Sequence, residues 1–331
     1  MSTVGIIANP ASGKDIRRLV SYGTVFDNHE KVNIVRRIIL GLAATKVDRI
    51  VYMPDYFNII PRAVDGLNRQ EKLSLEICKA DIEPTFTQAD SLEAAKFMRN
   101  DGAGCIITLG GDGTNRMVAR ECGEVPLVPV STGTNNVFPT MVEGTVAGLA
   151  AGVVAKGLVQ DAPSVIQTKK LVIYKNGVPV DIALIDAVAL RDSFIGARAI
   201  WEANRLLQTV TTRGEPHNIG ISSIAGYLVP LGITDPAGLA IEFGDGPNTL
   251  LAPIAPGLIV PVSIAKHRRM TIGEQVRINK VPCILALDGE REIEVKENDE
   301  VCIKLTFDGP RVVDVKAALR ESVLKTVGSR G

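Results

Sequence analysis

The sequence predicts an α/β, Rossmann-like N-terminal domain followed by a β-rich, sandwich-type C-terminal domain. Three observations predict it. In the first 138 residues, short β-branched apolar runs alternate with segments whose apolar residues recur at helical spacing. Beyond Phe138-Pro139 the apolar runs become short and closely spaced, with turn dipeptides between them. The length, 331 residues, favours two domains at about 150 residues each. The expected division is 1–138, completed by the helical tail at 308–331, and 139–307.

The elements follow in order. Residues 4–8 are a short apolar strand stopped by Asn9-Pro10. Ile34, Val35, Ile38, Ile39 and Leu42 form one apolar helical stripe. Residues 50–53 make the next strand, and the alternation of Leu73, Leu75 and Ile77 a less buried one. Asp90, three residues before Glu93, resembles a capping box opening a helix through Met98. Residues 105–109 and 125–130 are fully apolar strands. Strands separated by helices in this way imply crossovers and a parallel sheet covered on both faces. After a helical stretch at 146–159, strands are expected at 170–175, 183–190, 218–223, 240–243, 249–252, 258–264, 275–278, 283–287 and 301–307. Asn176-Gly177 and Asp288-Gly289 are hairpin signals. One inserted helix is expected within 193–208, and another in the basic tail at 316–325.

Composition excludes several classes of function. Lys plus Arg is 37 and Asp plus Glu is 37, so the chain lacks the strong positive field of a nucleic-acid or membrane-surface binder. The apolar stretch at 145–159 is shorter than the ~20 residues of a membrane span. That at 249–265 is broken by Pro253, Pro256 and Pro261. Cys78, Cys105, Cys122, Cys283 and Cys302 are odd in number and form no Cys-x-x-Cys pair, which reads as buried thiols in a reducing compartment. With no leader pattern at the N-terminus, the expectation is a soluble, cytoplasmic protein.

Chemistry gathers in three loops. Gly110-Gly111-Asp112-Gly113-Thr114 lies between an apolar strand and a helical pattern, an arrangement that aims backbone N–H groups at an anion. Without Cβ atoms at the glycines, phosphates can approach the chain. A carboxylate at Asp112 would repel them unless it holds Mg²⁺ or takes a proton from an attacking hydroxyl. A plain strand-to-helix turn explains the glycines alone equally well. The second loop, Asn9 to Lys14, follows the first strand, and the third, Ser131 to Asn136, follows the last strand of the alternating part. In a parallel sheet all three fall on the edge where ligands bind. Neither Gly-x-Gly-x-x-Gly nor a Walker A loop is present, since Arg116 replaces the third glycine and Ala8 and Asp15 break the second pattern. His29, His217 and His267 form no metal or catalytic motif.

In sequence order, the segments from Asn9 to Gly13, Gly110 to Thr114 and Gly133 to Asn136 resemble the superfamily that joins NAD kinases with diacylglycerol-type lipid kinases. Pro253-Ile254-Ala255-Pro256 resembles its Pro-Ile-x-Pro segment, and Asp288-Gly289-Glu290 its late Asp-Gly-Glu turn. The length and Gly196-Ala197-Arg198-Ala199 are most similar to the NAD-kinase-like proteins of acetoin catabolism. The resemblance implies an NAD kinase/diacylglycerol kinase-like fold and ATP-dependent phosphoryl transfer to a hydroxyl, with NAD the first acceptor to expect and small-molecule nucleotides as the partners. A homo-oligomer is expected by the same analogy.

Carried over by residue, Asp112 is the implied catalytic base, with Glu290 the alternative that the lipid-kinase side implies. Asn9, Ser12, Gly13, Lys14, Gly110, Gly111, Gly113, Thr114, Gly133 and Thr134 are the implied nucleotide and phosphate contacts. Asn135, Asn136 and Asp186 stand on the acceptor side, and Asp112 with Asp288 would hold Mg²⁺. Ile185-Asp186 keeps the acid of the NAD-kinase Asn-Glu pair and loses its amide. The alternatives are a lipid or small-polyol kinase, or a nucleotide-binding accessory protein without turnover.

Overall fold

The structure is a computed structural model and describes residues 1–13, 22, 26–68, 75–191 and 203–328. Strands β1 (Thr3–Ala8), β2 (Arg49–Tyr52), β3 (Glu76–Lys79), β4 (Cys105–Gly110) and β5 (Leu127–Ser131) pair in parallel in the order β3-β2-β1-β4-β5. Every residue of β1, β4 and β5 is buried, because helices cover both faces. On one face lie α1 (Asn28–Ala44), α2 (Ile59–Asn68) and α5 (Gly144–Ala155), packed with Val4, Ile6, Ile107 and Leu109. On the other, α3 (Ala89–Asn100) and α4 (Asp112–Ala119) pack with Ile7 and Ile106. Alternate residues of one strand thus serve opposite faces.

The helix α3 does not open on a capping box. Its cap is Gln88, and Asp90 sits inside the first turn, accepting N–H bonds from Thr85 and Phe86 of the preceding loop at 2.8 and 2.7 Å.

The texture change at residue 138 is not a change of layer. Helix α5 packs along α1, and β6 (Val165–Gln167) joins the first sheet through β17 (Arg311–Val313), which itself lies beside β5. The chain crosses to the second layer after Gln167, and the expected boundary at 138/139 is corrected accordingly. Helix α7 (Val315–Gly328) follows β17 and packs on α5.

The second layer is an antiparallel sandwich among the described residues. β7 (Lys170–Lys175), β8 (Val178–Ala183), β13 (Gln275–Arg277) and β16 (Val301–Thr306) form a sheet ordered β13-β16-β7-β8. β9 (Asp186–Leu190), β10 (Leu206–Thr211), β11 (Ala237–Ala255), β12 (Leu258–Thr271), β14 (Cys283–Leu287) and β15 (Glu290–Val295) form another, ordered β12-β11-β10-β9-β14-β15. Leu171, Ile173, Val210, Leu285, Ile303 and Leu305 fill the space between them. Helix α6 (Ile221–Leu228) covers the outer face on Val188, Leu239 and Ile241.

Three expectations are corrected here. The inserted helix does not extend over Leu206–Thr211, which is strand, while residues 193–202 lie outside the described residues. The strand expected at 218–223 gives way to α6, whose buried face spans Ile221 to Gly226. The two strands at 240–243 and 249–252 are one strand, β11, in which Phe243 and Asn248 both oppose Ile264, so that residues 244–247 bulge out of a continuous hairpin. Both hairpin signals give turns whose two central residues have positive φ, Asn176 (53°) with Gly177 (80°) and Asp288 (51°) with Gly289 (82°), the geometry that matches strand twist.

Candidate active site

The loops after β1, β4 and β5 interlock at the C-terminal edge of the parallel sheet. The Asn9 side chain donates to Thr114 Oγ1 (2.9 Å) and accepts from the Ala11 amide (2.9 Å). The Ser12 hydroxyl lies 2.8 Å from the Asn9 carbonyl and 2.9 Å from Thr132 Oγ1. Gly13 has φ of 74°, and a Cβ there would stand 2.7 Å from the Thr132 carbonyl, so both its conformation and its neighbours require glycine. Beneath the first loop, buried Lys31 donates to the carbonyls of Asn9 (2.8 Å) and Ser12 (2.7 Å). Lys14 lies outside the described residues.

Asp112 begins α4. Its carboxylate accepts N–H bonds from Val137 (3.1 Å) and Phe138 (2.7 Å), which tie the first turn of the helix to the end of the third loop. Within that loop Asn136 turns inward. Its amide donates to Ser131 Oγ at 2.8 Å, and its Oδ1 would lie 2.9 Å from a Cβ on Gly111. Asn136 therefore shapes the loop, which corrects its expected place on the acceptor side. Thr114 is likewise buried, its hydroxyl taken by Asn9. Thr134 is exposed, and its hydroxyl donates to Asn135 Oδ1 at 3.4 Å.

The second layer closes a cleft over Asp112. Asp112, Asn135, Val137, Asp186, Ser222 and Asp288 are among its lining residues. Three of the expected site carboxylates thus share one space. Asp288 is the deepest of them. Its buried carboxylate accepts from the amides of Leu184 (2.9 Å), Ile185 (2.8 Å) and Asp186 (3.2 Å), and Arg116 Nε stands 3.9 Å away. Burial pushes its carboxyl up to about 7, against the pull of those amides and of Arg116. Its oxygens are occupied by the chain, which corrects its reading as a metal ligand. Among the described residues no group of three or more His, Cys, Asp or Glu side chains could hold a metal ion.

Glu290 stands apart from that lining. It accepts from Gln88 Nε2 (2.9 Å) and pairs with Arg116 (3.2 Å). A Cβ on Gly113 would collide with its Oε1, so it rests on the first turn of α4 and benefits from the helix dipole. Arg116, 1% exposed, also pairs with Asp181 at 2.9 Å. Arg213 donates to the Val137 carbonyl, and its charge interacts with Asp112 and Asp288. Sequence reasoning did not find Lys31, Arg116 or Arg213 as site residues. The one signal was that Arg116 breaks a glycine pattern, which marks a position without naming a partner.

Comparison with known proteins follows the same two layers. Residues 4–158 match the ATP-NAD kinase N-terminal domain, and residues 169–308 match the acetoin catabolism protein X C-terminal domain. Over 329 residues the chain is 41% identical to acetoin catabolism protein X of Cupriavidus necator, covering 96% of this chain and 92% of that protein. The chain belongs to the NAD-kinase-like acetoin catabolism protein X family. Within the wider group it is 26% identical over 264 residues to the NAD kinase of Thermoplasma volcanium, covering 74% of this chain and 90% of that one. Yeast NADH kinase complexed with NADH shares the fold, with a TM-score of 0.53 at 14% identity over 99% of this chain and 88% of that one. The family's two matched domains change over between 158 and 169, where the chain crosses between layers.

Proposed function

We propose that the cleft transfers the γ-phosphoryl group of MgATP to a hydroxyl acceptor, with NAD, giving NADP, as the leading acceptor. The observation that carries this reading is the place of Asp112. It stands at the N-terminus of α4, oriented by the Val137 and Phe138 amides, in a cleft shared with Asn135 and Asp186. The loops at Asn9–Gly13, Gly110–Thr114 and Gly133–Thr134 cradle the donor phosphates with backbone N–H groups and the α4 dipole. Asn135 and Asp186 orient the acceptor. Asp112 accepts the proton of the acceptor hydroxyl as its oxygen bonds to the γ-phosphorus, and the bond to ADP breaks. Mg²⁺ fits as part of the substrate, because it is commonly held by one or two carboxylates together with phosphates. Asp112, at the N-terminus of α4, is the carboxylate placed in this reading beside the phosphates.

The alternative base, Glu290, is bound by Arg116 and Gln88 outside the cleft lining, which supports Asp112. Purified protein with ATP and Mg²⁺ is to be offered NAD, NADH, small diols and diacylglycerol while ADP release is followed. NADP formation lost in Asp112→Asn, by about a hundredfold or more, and kept in Glu290→Gln is the expected result. The reverse sensitivity with a lipid acceptor would assign the base to Glu290. Tight ATP binding without turnover on any acceptor would leave a nucleotide-binding accessory protein.

A further inference from the structure

The same sheet edge carries an aromatic feature that the phosphate loops do not explain. The loop after β2 presents Tyr56, 49% exposed, and the loop after β3 presents Phe86, 60% exposed. Their rings meet edge to face with centroids 6.1 Å apart. Both loops are braced from below by buried aspartates. Asp55 accepts from the amides of Phe57 (2.8 Å) and Ile59 (3.0 Å). Asp90 accepts from the Thr85 amide (2.8 Å), the Thr85 hydroxyl (2.7 Å) and the Phe86 amide (2.7 Å). Phe86 is held at φ of 59°, a conformation unfavourable for a bulky residue. The chain therefore fixes two large apolar rings in solvent, against both local strain and the hydrophobic effect. Strained, braced positions of this kind cluster at ligand sites.

Their position selects the ligand. Strands β2 and β3 lie one and two places from β1, which sets their loops roughly 5 and 10 Å from the phosphate loop after β1. That is the order of distance a ribose covers between base and phosphates. Gln88, two residues beyond Phe86, reaches Glu290 over Gly113, so the aromatic loop is continuous with the α4 N-terminus. We propose that Tyr56 and Phe86 form a stacking platform for the base of the donor nucleotide, making the donor a nucleoside triphosphate and not an inorganic polyphosphate. The inference rests on the phosphoryl-transfer reading above and names the residues that hold the base of its donor.

Calorimetric titration of the full chain with MgATP, inorganic tripolyphosphate and NAD tests it. Tyr56→Ala and Phe86→Gly are each expected to weaken ATP binding by roughly tenfold and to leave tripolyphosphate binding unchanged. Tyr56→Phe and Phe86→Trp should retain ATP affinity. Unchanged ATP affinity in the first two variants overturns the platform, and so does an equal loss of ATP and tripolyphosphate, which would report collapse of the loops. A loss confined to NAD would move the platform to the acceptor and overturn the donor assignment. Wild-type protein that binds tripolyphosphate but not ATP overturns the platform and spares the phosphate loops. Protein that binds neither overturns the phosphoryl-transfer reading as well.

Discussion

Asp288 serves the fold in two ways. It is a hairpin turn residue in the left-handed region, and its carboxylate also gathers the amides of Leu184, Ile185 and Asp186. The raised carboxyl has a consequence for stability. A folded-state value of about 7, above the ordinary 3.8, means that between these values the folded chain binds a proton that the unfolded chain has released. The contribution of this site is fully present below about pH 4, falls as pH rises through about 7, and is constant beyond. Asp288→Asn should lower stability by about 1–3 kcal/mol, since its NH₂ group cannot accept from the amides. It should also abolish the falling component, so that the wild-type minus variant difference in urea midpoint shrinks from about pH 4 to about pH 7. A difference that stays level over that interval would show the carboxyl to be ionised throughout. The glycine loops were legible in the sequence because small residues are needed wherever backbone meets backbone. Lys31, Arg116 and Arg213 were not, because a long cationic side chain gives no local sign of which loop it reaches.

At the scale of elements, legibility followed burial. The wholly buried parallel strands β1, β4 and β5 are mostly apolar and could be read directly, whereas α6 and β10 were misread because short buried runs carry no periodicity that separates helix from strand. The packing of α5 on α1 was also hidden. Gly144, Gly148 and Gly152 fall four residues apart on α5, and a Cβ on each would collide with Ile34, Ile38 and Thr45 of the α1 region in turn. The glycines let the two backbones touch. Helix propensity alone would make Gly148→Ala stabilising by about 1 kcal/mol. The contact with the Ile38 carbonyl, which is backbone and cannot swing aside, reverses the sign, and a net loss of about 1–3 kcal/mol is expected. Thermal unfolding decides between them, because a rise in Tm would mean that α1 and α5 do not approach so closely.

At the scale of the molecule, a chain of balanced charge joins its two layers through local ion pairs. Arg116 lies in α4, yet its partners Asp181 and Glu290 belong to β8 and β15, the end strands of the two sandwich sheets. One buried cation thus holds one edge of each sandwich sheet against the helix that carries Asp112. Glu290 is more than a third exposed and adds little of this strength. Asp181 and Asp288 are buried or nearly so, and removing their partner should cost about 3–5 kcal/mol. Arg116→Met is therefore expected to destabilise the protein unevenly. Hydrogen exchange should quicken at amides of β8 and β15 while β1 and β4 keep their protection, since each layer has its own core. Arg116→Met combined with Asp181→Leu should recover part of the loss, because it removes the carboxylate left buried without that partner. Equal loss of protection in β1, β4, β8 and β15 would show instead that the two layers unfold as one unit and that Arg116 is not the latch between them.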